Sequence, residues 1–515
     1  MSIGNSGRIV IEVPTEMKRK LYGELGKRGI SLKDWFMDQV DSYLGGVTDA
    51  VSAPSPGVVT SCVDEENAST KSKKPSKLMS KPIINRLFRE YESLEREFHV
   101  RVLQSDVSYV SPVNFVESLR RPRHRWFPYK EGFSPTFVEN FVREFKFDQP
   151  GVIYDPFSGV GTTGIVSGSM GLNALGHDVS PMAVFIAKTK SINLEKEEIQ
   201  EFSKYIKSIE SHTFKETCPP PDNSTVISYF EERYLEALLM IRAVVNKAST
   251  KKINDLAKLA YLTLIEDYST HRRAGNGVKR KTRLDYTEGD QRPIEQVKES
   301  FKQKLKEMEL DLAANQLLAT PDFRLGSSLG GPSTNSLEGI SLALTSPPYA
   351  NCFDYSKIYM RELWMGDFFK STEDQKKFRE ESIRSHVHAT WKDRHTQHGS
   401  AIIEDIINPD LKSQDLWSKK IPDMLSGYFK DIGALLYDLH PKFAPGATFG
   451  IVVGNSVYGG LPVATDLLIA EMARSIGYDV KRIDVYRGVI PSSQQYNLVN
   501  DHRWARESTV IIGKK

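Results

Sequence analysis

A short apolar run, Val152-Ile153-Tyr154, leads into Asp155-Pro156-Phe157-Ser158-Gly159-Val160-Gly161-Thr162-Thr163. A helix-forming stretch follows, from about Thr163 to Met170. Ala174–Asp178 reads as the next strand and Pro181–Lys190 as another helix. Strand, glycine turn, helix and strand at this spacing make a βαβ unit. Such a unit requires a parallel sheet with helices on its faces. Strand-like runs resume at Ser341–Thr345, Thr448–Val453, Val480–Tyr486 and Thr509–Ile512. Between Lys196 and Gln316 the apolar spacing is helical instead, so a helical block interrupts an α/β domain.

The glycine turn constrains the ligand. Gly159 and Gly161 let the backbone approach a bound molecule closely, and the helix after them points N–H groups at it. A phosphate loop would need Gly-Lys-Ser or Gly-Lys-Thr, which is absent, and a dinucleotide fingerprint would need its third glycine elsewhere than Gly164. Asp178, at the end of the next strand, suits a ribose diol. The expected ligand has a ribose and no triphosphate.

A second turn closes the strand Ser341–Thr345: Ser346-Pro347-Pro348-Tyr349. Two prolines end the strand, fix the loop and cannot donate hydrogen bonds. The Ser346 and Pro347 carbonyls therefore stay available as acceptors, and Tyr349 offers a flat stacking surface. This suits a planar base with an exocyclic amino group.

Asp-Pro-Phe-x-Gly-x-Gly-Thr and Ser-Pro-Pro-Tyr, each at a strand end, resemble the motifs of the amino-methylating DNA methyltransferases that use S-adenosylmethionine. The serine form is similar to the cytosine-N4 branch; the adenine-N6 branch more often has Asp or Asn in place of Ser346. The likeness covers about residues 110–190 and 320–515. It implies a Rossmann-like methyltransferase fold, with Tyr129, Asp155, Phe157, Gly159, Gly161, Thr162 and Asp178 at the cofactor and Ser346, Pro347, Pro348 and Tyr349 at the reacting base. Tyr129 belongs to Phe127-Pro128-Tyr129-Lys130-Glu131-Gly132-Phe133, which resembles the family segment on the methionine end of the cofactor. Gly326-Ser327-Ser328 departs from the family's Gly-Asp pair before the catalytic strand, so the contact to the cofactor's adenine has no assigned residue. The expected substrate is cytosine in double-stranded DNA, flipped into the site and methylated at N4 without a metal or a covalent intermediate. C5 methylation would use a cysteine after proline, and the chain has no Pro-Cys pair. Family habit adds a cognate restriction endonuclease, with no direct contact implied. The competing expectations are adenine-N6 methylation and a DNA-binding regulator.

The densest basic run, 269–283, lies in the helical block. Arg272, Arg273, Lys279, Arg280, Lys281 and Arg283 are expected there on a glycine-containing loop that meets DNA phosphates. Around His386, His388 and His395 an exposed loop is expected.

Residues 8–44 read as strand, helix, helix and resemble the ribbon-helix-helix family, implying either DNA binding or a dimerisation module alone. Glu12 departs from that family's outward cationic or neutral residues. The organisation is then 1–46, a linker at 47–80 rich in Ser, Pro and Lys, a cofactor part at 81–190, the helical target-recognition insertion at 191–319 and a catalytic part at 320–515. Over 515 residues the net charge is +3, which permits nucleic-acid binding without demanding it. Three cysteines exclude a disulfide framework. With no signal peptide and no apolar run long enough for a bilayer, a cytoplasmic protein with no membrane partner is expected.

Overall fold

The computed structural model describes residues 81–104, 111–145, 151–275, 277–282, 284, 286, 292–330, 337–388, 398–489 and 501–515, with Leu21. The chain divides into two units, Met1–Lys74 and Pro75–Lys515. The strand-helix-helix reading of 8–44, apart from Leu21 (helical, as expected there), and the linker reading of 47–80 lie outside the described residues.

The strands among the described residues are β1 (Val100–Val102), β2 (Val152–Asp155), β3 (Ala174–Asp178), β4 (His271–Ala274), β5 (Gly277–Arg280), β6 (Asp322–Leu325), β7 (Ile340–Thr345), β8 (Phe443–Gly454), β9 (Ser456–Tyr458), β10 (Leu461–Val463), β11 (Asp479–Gly488) and β12 (Arg506–Gly513). One eight-stranded sheet runs β1-β11-β12-β8-β7-β2-β3-β6. Its links are parallel except β11 to β12 and β12 to β8. From β2 the chain steps outward to β3 and β6; from β7 it steps the other way to β8. The order therefore reverses between β2 and β7. That is where an open parallel sheet leaves a crevice beyond its strand ends.

Alternation along the central strands builds two apolar layers. Leu342, Leu344 and Val452 face the helix Pro135–Glu144 through Val138 and Phe141. Ala343, Ile451 and Val453 belong to the opposite layer, with Leu425 and Leu436 of the helix Ile421–Leu439 and Leu468 of Thr465–Ile476. The helix Pro181–Lys190 has the expected bounds because Ser180 caps it, accepting from the Ala183 N–H, and Pro181 opens its first turn.

The insertion is helical as expected, over Lys196–Ser211, Glu232–Val245, Lys251–Asp267 and Pro293–Ala314. Its core, including Phe202, Leu238, Leu259, Phe301 and Met308, also takes in Trp126, Phe127, Tyr359 and Leu363. It thus shares side chains with segments flanking the glycine turn. The expected basic loop is instead a hairpin in which β4 pairs antiparallel with β5. No helix among the described residues is long and apolar enough to cross a membrane.

Candidate active site

The two motif turns leave the sheet on either side of the β2/β7 reversal. Asp155, which ends β2, joins them. Its Oδ1 accepts from Thr345 Oγ1 at 2.6 Å and from the Phe157 N–H at 3.1 Å; its Oδ2 accepts from Thr163 Oγ1 at 2.8 Å. Thr345 immediately precedes Ser346. Asp155 is thus engaged within the protein, a tie between both turns rather than an open ligand contact. Burial pushes its carboxyl up to about 6, against the lowering effect of those donors.

Asp178 accepts one backbone N–H on each oxygen, which leaves each oxygen a further lone pair. Its Oδ2 accepts from the Gly159 N–H and its Oδ1 from the Ser180 N–H, each at 2.8 Å. Burial raises it to about 6 as well. Gly161 turns the chain at φ +88, where a Cβ would lie 2.7 Å from the Phe323 ring and 2.9 Å from Ala187. An L side chain meets both backbone strain and a clash there.

A cavity opens over the glycine turn. Tyr129, Asp155, Phe157, Gly159, Thr162 and Asp178, the residues that the sequence places at a cofactor apart from Gly161, all line it. Gly161 does not line it and acts from behind, by allowing the turn. Tyr129 stacks on Tyr359, with ring centroids 5.3 Å apart. The Tyr359 hydroxyl donates to Glu131, whose carboxyl is raised by burial. Ser158 Oγ is buried without a hydrogen-bond partner among the described residues. Ser327 and Ser328 sit on the wall, but Ser328 Oγ donates to the Pro156 carbonyl and Ser327 Oγ to the Glu381 carbonyl.

A second cavity holds Pro347, Tyr349, Arg487 and Glu507 on its wall. Ser346, Glu131, Gly132 and Tyr355 line both cavities, so they form the partition between them. Pro348 faces the first. The Tyr349 ring lies over Gly454, where a Cβ would come within 2.8 Å of it. The Tyr349 hydroxyl donates to Glu507 Oε1 at 2.8 Å, and Arg487 Nε donates to Glu507 Oε2 at 2.7 Å. Burial, together with the Glu507 charge, pushes the phenol well above its ordinary range, so it stays protonated. Gly454, Glu507 and Arg487 are register partners across β8, β12 and β11. Sequence reasoning missed Glu507 and Arg487. No motif marks them, and only the antiparallel pairing brings them to the Ser-Pro-Pro-Tyr turn. Cys352 is buried, with its Sγ 3.4 Å from the Tyr458 hydroxyl.

The hairpin divides the basic run. Arg272, Lys279 and Arg280 are exposed. Arg273 is not: strand alternation turns it inward, where it pairs with Glu266 and lies over the Tyr359 ring, 4.8 Å from its centroid. Lys281 is buried too, with its ammonium donating to the Glu266 and Asp267 carbonyls at the end of the helix Lys251–Asp267. Both are corrections to the expected phosphate-facing set. Arg283 lies outside the described residues.

The expected exposed loop around the histidines is also corrected at its start. Arg384, Ser385 and His386 are buried, and Arg384 pairs with Asp431 at 2.8 Å. Residues 389–397 lie outside the described residues. Asp354, His386 and His388 bring one ligating atom each within 4.8 Å of one another. The Asp354 carboxylate already holds Arg379, with Nη2 2.9 Å from Oδ2, so a guanidinium stands where a cation would go.

No protein-family model matches the chain. It is 26% identical over 420 residues to the type II methyltransferase M.BsoBI of Geobacillus stearothermophilus, covering 73% of this chain and 82% of that protein. It is 23% identical over 453 residues to the type II methyltransferase M.AvaI of a Nostoc species, covering 81% of this chain and 92% of that protein. A stretch of 44 residues is 43% identical to an uncharacterized 7.3 kDa protein in the Eco57IM 5′ region of Escherichia coli, covering 8% of this chain and 71% of that protein. Relatedness to type II methyltransferases therefore extends over most of the chain.

Proposed function

We propose that this relative of the type II methyltransferases transfers the methyl group of S-adenosylmethionine to the N4 amino group of cytosine in double-stranded DNA, as the modification enzyme of a restriction-modification system. One observation carries the proposal: Ser346 stands in the partition between two adjoining cavities, one over the glycine turn and one beside Tyr349.

The first cavity has a donor set that fits S-adenosylmethionine. Asp178 would accept from ribose hydroxyls, Tyr129 and Phe157 supply apolar wall, and the buried Ser158 hydroxyl and the Glu131 carboxyl remain for polar groups. When bound, the cofactor supplies an activated methyl group. The Ser346 hydroxyl and the Pro347 carbonyl would accept from the N4 amino group. Those hydrogen bonds draw nitrogen toward tetrahedral geometry and free a lone pair otherwise delocalised into the ring. The contribution is positioning and electrostatics. A base reaches this pocket only when flipped from the duplex, with Tyr349 as its stacking partner. Serine at position 346, with the surrounding motif, favours cytosine over adenine.

The test is to incubate the protein with S-adenosylmethionine and unmodified DNA, digest to nucleosides and identify the product by mass spectrometry. N4-methylcytosine is expected. N6-methyladenine would overturn the choice of base, and no methylated nucleoside would overturn the reaction.

Two further results are expected. An ionised carboxylate accepts ribose hydrogen bonds more strongly than the neutral acid, and burial pushes Asp178 up to about 6. Cofactor affinity measured by calorimetry should be level above about pH 7 and fall as pH drops through about 6. Asp178→Asn should bind weakly at every pH with that fall much reduced; an unaltered profile in the variant would remove Asp178 from the cofactor. On the hairpin, Lys279→Glu with Arg280→Glu should weaken DNA binding and lower the slope of log K against log salt by roughly 1 to 2. An unchanged slope would detach the hairpin from the phosphates.

A further inference from the structure

The Ser346 hydroxyl lies 3.5 Å from the Tyr349 phenol oxygen, and that phenol donates to Glu507 Oε1 at 2.8 Å. Because the phenol proton is committed to the carboxylate, its oxygen can only accept from Ser346. The Ser346 proton is then directed at Tyr349, which leaves the Ser346 lone pairs to accept from an amino group. Arg487 Nε, 2.7 Å from Glu507 Oε2, fixes the carboxylate from the other side. Glu507 is 5% exposed, and it sits opposite Gly454, the residue under the Tyr349 ring. A nearly buried carboxylate thus ends a chain of hydroxyls that begins at the reacting position.

We infer that Glu507 is a positioning residue that holds Ser346 as an acceptor and receives, through Tyr349 and Ser346, the proton shed in methyl transfer. This rests on the amino-methylating function proposed above. Methylation forms an N–C bond and breaks the donor's S–C bond, whose electron pair stays on sulfur, so one N4 proton must leave. Ser346 Oγ takes it while passing its own proton to the Tyr349 oxygen, and the phenol proton passes to Glu507 Oε1. Hydroxyl and phenol are restored, and Glu507 ends as a neutral acid beside Arg487, to be deprotonated by water between turnovers. The other titratable or charged groups of the cavity are Lys130, Glu131 and Tyr355. Glu131 is the competing acceptor, because it lines both cavities.

Single-turnover methylation of unmethylated plasmid DNA, followed against pH with the full chain, tests this. With saturating cofactor, the wild-type rate should rise with pH to a plateau. Glu507→Gln should retain cofactor affinity, lose at least about tenfold in rate at the plateau and, at saturating cofactor, lose most of that rise with pH. Glu507→Asp should keep the pH dependence. In a Tyr349→Phe background, Glu507→Gln should cost no more than about twofold further, because the chain is already cut. A wild-type rate and profile in Glu507→Gln, full additivity with Tyr349→Phe, or a flat profile appearing in Glu131→Gln instead would each overturn the inference. Should Glu507→Gln bind no cofactor, Tyr349→Phe alone decides: a flat profile supports the route and a wild-type profile overturns it. A wild-type protein that methylates no base would overturn the proposed function itself, a different result from an active enzyme indifferent to Glu507.

Discussion

Replacing Ser346 with alanine should lower the single-turnover rate of methyl transfer by roughly a hundredfold or more and leave cofactor affinity within about twofold. The serine is fixed at its backbone by the two prolines and at its hydroxyl by Tyr349. Alanine keeps the turn and the Pro347 carbonyl, so one acceptor for the amino group survives. What is lost is the acceptor that would help shift the nitrogen lone pair out of conjugation, a gain made mainly in the transition state. The effect should therefore fall on kcat rather than KM. Rapid-quench kinetics with labelled cofactor would read it. A wild-type rate in Ser346→Ala would sink the scheme for activating the amino group.

Asp155→Ala should act on both folding and chemistry. The carboxylate accepts from Thr345, Thr163 and the Phe157 N–H, at a site 4% exposed. Its removal leaves a buried hydroxyl on Thr345 with its acceptor gone, and should cost about 3 kcal/mol at pH 7 in denaturant unfolding. The sign of the pH dependence follows from burial. The folded carboxyl titrates at about 6, above its ordinary range. The stability this shift contributes is complete below about pH 4 and is lost as pH rises through about 6. The wild-type advantage over the variant should therefore narrow across that window and stay level above it. Because Thr345 precedes Ser346, the methylation rate should fall as well, even under conditions where the variant is fully folded. Stability and rate both within error of wild type would show that the two turns are placed independently.

Much of the site was legible because its parts are local. A strand, a glycine turn and a capped helix announce themselves within a few residues, and the helix Pro181–Lys190 and the strand Ala174–Asp178 have their expected bounds. The Ser-Pro-Pro-Tyr turn could be read for the same reason, since two prolines restrict a chain wherever they occur. What escaped depends on partners far along the chain. Glu507 matters because β12 pairs between β8 and β11, and nothing near it in sequence says so. Arg273 and Lys281 look like members of a charge run, yet one is turned inward by alternation and the other caps a helix end. Composition cannot separate them from Arg280. Strand β6, Asp-Phe-Arg-Leu at the sheet edge, carries too many charges and too few apolar residues to stand out as a strand.

The stack of Arg273 on Tyr359 and of Tyr359 on Tyr129 ties the hairpin to the cavity over the glycine turn. The hairpin side chain that looks inward rests on an aromatic pair, and both rings of that pair line the cavity over the glycine turn. The helical insertion is accordingly no detachable cartridge. A graft of residues 191–319 from a relative would bring its own inward-facing residue to a tyrosine pair it was not selected against. Transplants that carry 126–133 and 355–365 along with the insertion keep the stack whole. Exchange of parts therefore has a seam that runs along the wall of that cavity, while point substitution is freest at Arg272, Lys279 and Arg280, which look outward.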